Sequence, residues 1–201
     1  MTLKKKLAAA LTAAGLALGL SLAGTGTARA DITPPPVGQW KGIANPHLNG
    51  RGTLLCFEDP RGTTANGAQT QLGYCHPYNS DGTLQRWVFI PAVDSNGNPV
   101  TEGGNKVYEL WNQAAGRCLA VNATRVGQPL ILTGCDTNNT QIDLWELRPT
   151  GGGPANQDFQ LALWLFDDWC IGANVADDIV PNGLELDGCN TNDARQLWEL
   201  W

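Results

Sequence analysis

Apolar residues along this chain alternate with polar ones over short stretches instead of recurring at helical spacing. Val107-Tyr108-Glu109-Leu110-Trp111 and Leu161-Ala162-Leu163-Trp164-Leu165 are bounded by Gly, Asn, Asp and Pro, as strands closed by turns are. The 24 glycines would be costly inside helices. From Trp40 onward the pattern predicts an all-β protein. Within it one motif recurs three times: Cys56, Cys75, Gln85-Arg86-Trp87; then Cys118, Cys135, Gln141 and Trp145; then Cys170, Cys189, Gln196-Leu197-Trp198. Self-similarity at a fixed period predicts one domain over residues 40–201, built of three equivalent units at about 40–90, 106–148 and 159–201.

The first thirty residues read differently. Lys4-Lys5-Lys6 precedes an apolar run from Leu7 to Ala23, and Ala28-Arg29-Ala30 supplies small residues for a peptidase. This is the pattern of a secretory signal peptide cut before Asp31, so residues 1–30 are expected to be a leader and the protein to be secreted and extracellular. Residues 31–39, Asp-Ile-Thr-Pro-Pro-Pro-Val-Gly-Gln, read as an extended proline-rich lead-in.

Charge then narrows the partners. The whole chain carries a net charge of −6, with 13 basic and 19 acidic residues. Loss of Lys4, Lys5, Lys6 and Arg29 with the leader leaves nine basic residues and a net of −10. Nucleic acids and anionic membranes need basic patches, so neither is expected as a partner. A soluble monomer that binds something neutral fits better.

All six cysteines follow the leader. An even count in an oxidising compartment predicts disulfides, and the repeat singles out Cys56–Cys75, Cys118–Cys135 and Cys170–Cys189, one per unit. No Cys-x-x-Cys spacing occurs, so neither zinc nor another cofactor is expected. Asp94-Ser95-Asn96-Gly97-Asn98-Pro99 resembles the start of a calcium loop but lacks the later bidentate Glu. It is read as an Asn-Gly hairpin turn. Pro149-Thr150-Gly151-Gly152-Gly153-Pro154 is read as a loop.

Gln-x-Trp signatures in the first and third copies and a Gln141–Trp145 variant in the second, each in phase with a Cys-Leu-type segment, resemble the ricin-B-type lectins, also called family-13 carbohydrate-binding modules. The best-matching stretch is Tyr108-Glu109-Leu110-Trp111-Asn112-Gln113-Ala114-Ala115-Gly116-Arg117-Cys118-Leu119-Ala120-Val121, followed by Leu130-Ile131-Leu132-Thr133-Gly134-Cys135. The resemblance implies a β-trefoil with pseudo-threefold symmetry: a six-stranded barrel capped by three hairpins. It also implies that Trp87, Trp145 and Trp198 are core residues. Gln85, Gln141 and Gln196 are expected to satisfy nearby backbone groups, as buried amides must. The second copy departs from the spacing, because Gln141 lies four residues before Trp145; either Asp143 stands in register or the strand entry carries an insertion.

A shallow sugar site needs a carboxylate for paired hydroxyls, an aromatic ring for the C–H face and an amide or two. In the resemblance the carboxylate lies two residues after the first cysteine and the aromatic lies near the second. In the first copy Glu58, with Asp59 beside it, and Gln71 match; Gly73 replaces the aromatic and Tyr74 is displaced by one. The second copy has Ala120, Ile131 and Thr133 there and reads as dead. The third has Gly172, Glu185 and Asp187, with Asn174, Asp177, Asp178 and Asn190 near by. The candidate glycan-binding residues are therefore Glu58, Asp59, Gln71, Tyr74, Asn174 and Glu185, in partly degenerate sites.

No catalytic residue is expected. Beyond the leader the serines are Ser80 and Ser95 and the histidines His47 and His76, and none sits in a nucleophile elbow. Asp167 and Asp168, if on a strand, point to opposite faces. The competing reading is a protein-interaction or inhibitor trefoil without sugar binding, acting through loops 91–106 and 148–158. Of the remaining tryptophans, Trp111 and Trp164 are expected at matching places in their units. Trp169 either shields a disulfide or offers a stacking platform.

Overall fold

A computed structural model describes residues 38–48, 54–76, 82–135, 142–151, 157–166, 168–174 and 182–201. The expected leader and most of the proline-rich lead-in, together with Ser80, Gln141, Asp167, Asp177, Asp178 and part of the 149–154 loop, lie outside the described residues.

Among the described residues, sixteen strands form one continuous antiparallel system. The first unit holds β1 (Trp40–Lys41), β2 (Ile43–Asn45), β3 (Leu55–Glu58), β4 (Ala68–Gln69), β5 (Gln71–Tyr74) and β6 (Trp87–Pro91). After a small β7 (Thr101–Glu102), the second unit holds β8 (Asn105–Asn112), β9 (Arg117–Ala120), β10 (Gln128–Pro129), β11 (Ile131–Thr133) and β12 (Leu144–Pro149). The third holds β13 (Phe159–Leu163), β14 (Trp169–Asn174), β15 (Asn182–Gly188) and β16 (Glu199–Leu200). Short 3-10 turns at Gly82–Gln85 and Ala194–Gln196 are the helical pieces among the described residues.

Six strands close a barrel. β1 pairs with β6, β6 with β8, β8 with β12 and β12 with β13; Trp198 bridges back to Phe159, and β16 pairs with β2. β1 and β2 are one strand interrupted at Gly42, where a Cβ would sit 3.0 Å from the Trp201 ring. Three hairpins, β3–β5, β9–β11 and β14–β15, cap one end. They meet in a closed ring of backbone bonds: Thr70 donates to Leu130, Leu130 to Leu184, and Leu184 to Thr70, at 3.0, 2.9 and 3.4 Å.

The units repeat in detail. Each first cysteine faces the unit's opening strand, at Ala44–Cys56, Trp111–Cys118 and Ala162–Cys170. Each tryptophan of the signature is fully buried. Each donates its indole N–H to the carbonyl of the residue after the first cysteine: Trp87 to Phe57 at 3.1 Å, Trp145 to Leu119 at 2.9 Å and Trp198 to Ile171 at 3.1 Å. A buried indole N–H needs such an acceptor. Phe57 then meets Trp198 edge to face at 4.6 Å, joining the first unit to the third through the core. The disulfides are Cys56–Cys75, Cys118–Cys135 and Cys170–Cys189.

One expectation fails. Ala162, and not Trp164, is the counterpart of Trp111. The strand ends at Leu163 and turns at once, with Leu165 at φ 62°, so Trp164 leaves the pleat. It packs with Ala92, Val100, Val107 and Leu144, partly under the 91–106 hairpin. Trp111 instead lies against Trp40, their rings 5.2 Å apart. Trp169 packs partly buried against the main core.

Candidate functional site

The β3–β5 register sets Glu58 opposite Gln71 and Cys56 opposite Gly73. Glu58 lies on the outward face, and its carboxylate is gripped by two amides. Gln71 Nε2 donates to Oε1 at 3.1 Å and Gln85 Nε2 donates to Oε2 at 2.7 Å. The carboxylate rests directly over Gly73, where any Cβ would overlap Oε2. A side chain at that position, including the aromatic ring the resemblance places there, would collide with the acid as it is held.

Gln85 does more than hold Glu58. Its Nε2 also donates to the Tyr74 carbonyl at 2.8 Å, and its Oε1 accepts from the His76 N–H at 2.9 Å. The amide thus clasps the backbone on both sides of Cys75. Gln196 does the same around Cys189, donating to the Gly188 carbonyl at 2.7 Å and accepting from the Asn190 N–H at 2.8 Å. In the second unit Asp143, two residues before Trp145, is buried at the corresponding step.

Asp59 and Tyr74 do not join Glu58. Asp59 is fully buried, its Oδ1 accepting the Arg61 N–H at 3.2 Å, and burial pushes its carboxyl above the ordinary range. Tyr74 is exposed, but strand alternation puts it in phase with core residue Leu72 and away from Gln71. Asn174 and Glu185 do come together, with Asn174 Nδ2 donating to Glu185 Oε2 at 2.9 Å. Burial, then the nearby Asp187 charge, raises the Glu185 carboxyl.

The two pairs belong to one surface. β5 pairs with β15 across the unit boundary, so Glu58, Gln71, Gly183 and Asn174 lie in register on four adjacent strands. Residues opposite one another share a face, and the row spans roughly 14 Å at about 4.8 Å per strand. Gly183 supplies a bare step in its middle. Beside Gln71 and Gly183 opens a hollow of about 630 Å³, walled also by Pro60, Arg61, Thr63 and Gln69.

The third unit inverts the first. Gly172 stands where Glu58 does, Glu185 where Gln71 does, and Asp187 where Gly73 does. Arg195 Nη2 donates to Asp187 Oδ2 at 3.0 Å and its Nε to Asp193 Oδ1 at 3.1 Å; that bond holds the Asp193 carboxyl below the usual range. In the second unit Ala120 faces Ile131 and Cys118 faces Thr133, with no carboxylate. Reading within units missed Gly183, Arg61 and Arg195. Arg195, next to Gln196 in the chain, was the one with a local signal.

The Asp94 loop is a turn. Asp94 Oδ1 accepts the N–H groups of Asn96 and Asn98 at 2.8 and 2.9 Å, and Gly97 has φ 82°. Among the described residues no group of three or more His, Cys, Asp or Glu could hold a metal ion.

Solved structures with this arrangement decide the fold. A designed threefold-symmetric protein, ThreeFoil, superposes with a TM-score of 0.59 over 80% of this chain and 96% of its own, at 16% identity. The fold is a β-trefoil. Ricin B-type lectins are among the trefoils similar to it. The Macrolepiota procera ricin B-like lectin, solved with lactose, matches at TM-score 0.53 and 17% identity over 82% of this chain and 96% of its own. The C-half of an earthworm R-type lectin, solved with GalNAc, matches at 0.51 and 12% over 81% and 98%. No protein-family sequence model matches the trefoil's sequence, and no curated protein sequence does.

Proposed function

We propose that this trefoil is an exported carbohydrate-binding protein without catalytic activity, and that it holds its ligand on the Glu58–Gln71–Gly183–Asn174 row. The observation that carries the reading is that row. It gathers a carboxylate, two amides and a bare glycine on one outward face beside a hollow. Glu58 fixes Gln71 and leaves that amide's other hydrogen and its oxygen for hydroxyls. Similarity in fold to lectins solved with lactose and GalNAc supports the ligand class. One shallow site binds weakly, so polysaccharides with repeated epitopes are the natural targets. The leader pattern, the three disulfides and the absence of a membrane-crossing helix among the described residues are compatible with export.

A glycan array and polysaccharide pull-downs with the purified chain test this. The expected result is binding that Gln71→Ala and Asn174→Ala each weaken by about tenfold, with both variants still folding cooperatively and losing no more than about 1 kcal/mol of stability. No binding to any glycan, or binding indifferent to both substitutions, overturns it. Export is checked separately by N-terminal sequencing of the protein from culture medium, which should begin at Asp31.

A further inference from the structure

The hollow beside the polar row has a lining that narrows what it accepts. Thr63, Gln69 and Gln71 contribute a hydroxyl and amides, and no aromatic ring is among its described walls. A sugar there gains little from packing its C–H face, so hydrogen bonds and charge must supply the affinity. Arg61 is the one charged side chain among the described residues lining it, and it is exposed. Its backbone N–H is engaged by Asp59, yet no described residue pairs with its guanidinium. The nearby acids are turned elsewhere: Glu58 is held by Gln71 and Gln85, and Asp59 is buried under the turn. A second cation braces the same wall, with Arg117 Nε donating to the Thr64 carbonyl at 2.9 Å.

We infer that the hollow takes an acidic saccharide, with the Arg61 guanidinium receiving the carboxylate of a uronic acid unit while Gln71 and Thr63 meet its hydroxyls. A guanidinium presents two parallel N–H groups to a carboxylate, a geometry that a neutral hydroxyl pair does not match. The inference rests on the carbohydrate-binding reading and adds the sign of the ligand's charge. The chain's own net charge of −6 repels polyanions at long range, so a short oligosaccharide is the clean probe.

Titration calorimetry with trigalacturonate and its carboxyl-reduced neutral trimer decides the matter. Trigalacturonate is expected to bind the tighter of the two and to weaken as salt rises. Arg61→Gln should weaken it at least about tenfold and leave the neutral trimer unchanged, with Arg61→Lys in between. Equal affinity for the two trimers, no binding of trigalacturonate, or an indifferent Arg61→Gln variant overturns the inference. If neutral glycans still bind through Gln71 in those cases, the carbohydrate-binding reading stands alone. If no glycan binds at all, both fall.

Discussion

In the first unit the carboxylate stands on the strand of the first cysteine, as Glu58, and the glycine on the strand of the second, as Gly73. In the third unit the two are exchanged, as Gly172 and Asp187. In the first unit the acid fills the space over the facing glycine, whereas in the third the space over Gly172 stays open to ordinary contact. The acid's partners differ with the side: two glutamines hold Glu58, whereas Arg195 holds Asp187. Beneath this exchanged surface nothing is exchanged. Both units keep the indole bond to the first-cysteine strand and the glutamine clasp about the second cysteine. The inner layer is fixed by burial and the outer layer is free to vary.

The sharpest way to break that comparison is through the tryptophans. Trp87→Ala and Trp198→Ala should each cost about 3–5 kcal/mol in urea unfolding, since both rings are fully buried. A cost under about 1 kcal/mol in one unit alone would end the claim that the inner layers are equivalent. Next come the disulfides. Cys56–Cys75 and Cys170–Cys189 each span 19 residues, so replacing either pair by serines should cost about 3 kcal/mol, alike in both units.

Smaller effects should divide the units. Gly73→Ala puts a Cβ into the Glu58 carboxylate and breaks its bonds to two amides, a loss of about 1–2 kcal/mol. At Gly172 the new Cβ meets Gln196 and Asp187 at ordinary contact distances of 3.6 and 3.7 Å, so Gly172→Ala should stay within about 0.5 kcal/mol. Equal costs for the two would refute the exchange. The smallest effect is a matter of pH. Burial raises the Asp59 carboxyl above its ordinary 3.8, so the fold holds that proton more tightly than the unfolded chain does. The resulting stabilisation is complete below pH 3.8 and is lost as pH rises through the folded value. Asp59→Asn should therefore be more stable than the parent near neutrality, with the advantage vanishing in acid; an advantage independent of pH would contradict this.

Much of the inner layer was legible because its signals are local in sequence. Each unit announces its cystine and tryptophan at nearly constant spacing, and burial does the rest. Asp143 could be aligned only once Trp145 was seen to donate to Leu119, which fixes the step of its strand. Tyr74 looked available for Glu58 because it is adjacent to the vacant aromatic position, but a strand sends adjacent residues to opposite faces. Trp164 was misplaced because the turn at Leu165 is not marked by a glycine. The polar row was invisible for a different reason. Gln71 meets Asn174 only through Gly183, across a pairing of β5 with β15 that no spacing within a unit announces.

The ring formed by Thr70, Leu130 and Leu184 links the three hairpins head to tail. Each amide's acceptor belongs to the next hairpin around, so loosening any one hairpin breaks two of the three bonds, the one its amide donates and the one its carbonyl accepts. The three hairpins are thereby coupled at the cap, and the three N–H groups are expected to be protected against isotope exchange to a similar degree. On the proposed reading, a ligand seated beside Gln71 should slow the exchange of the Leu130 and Leu184 amides in the other two units.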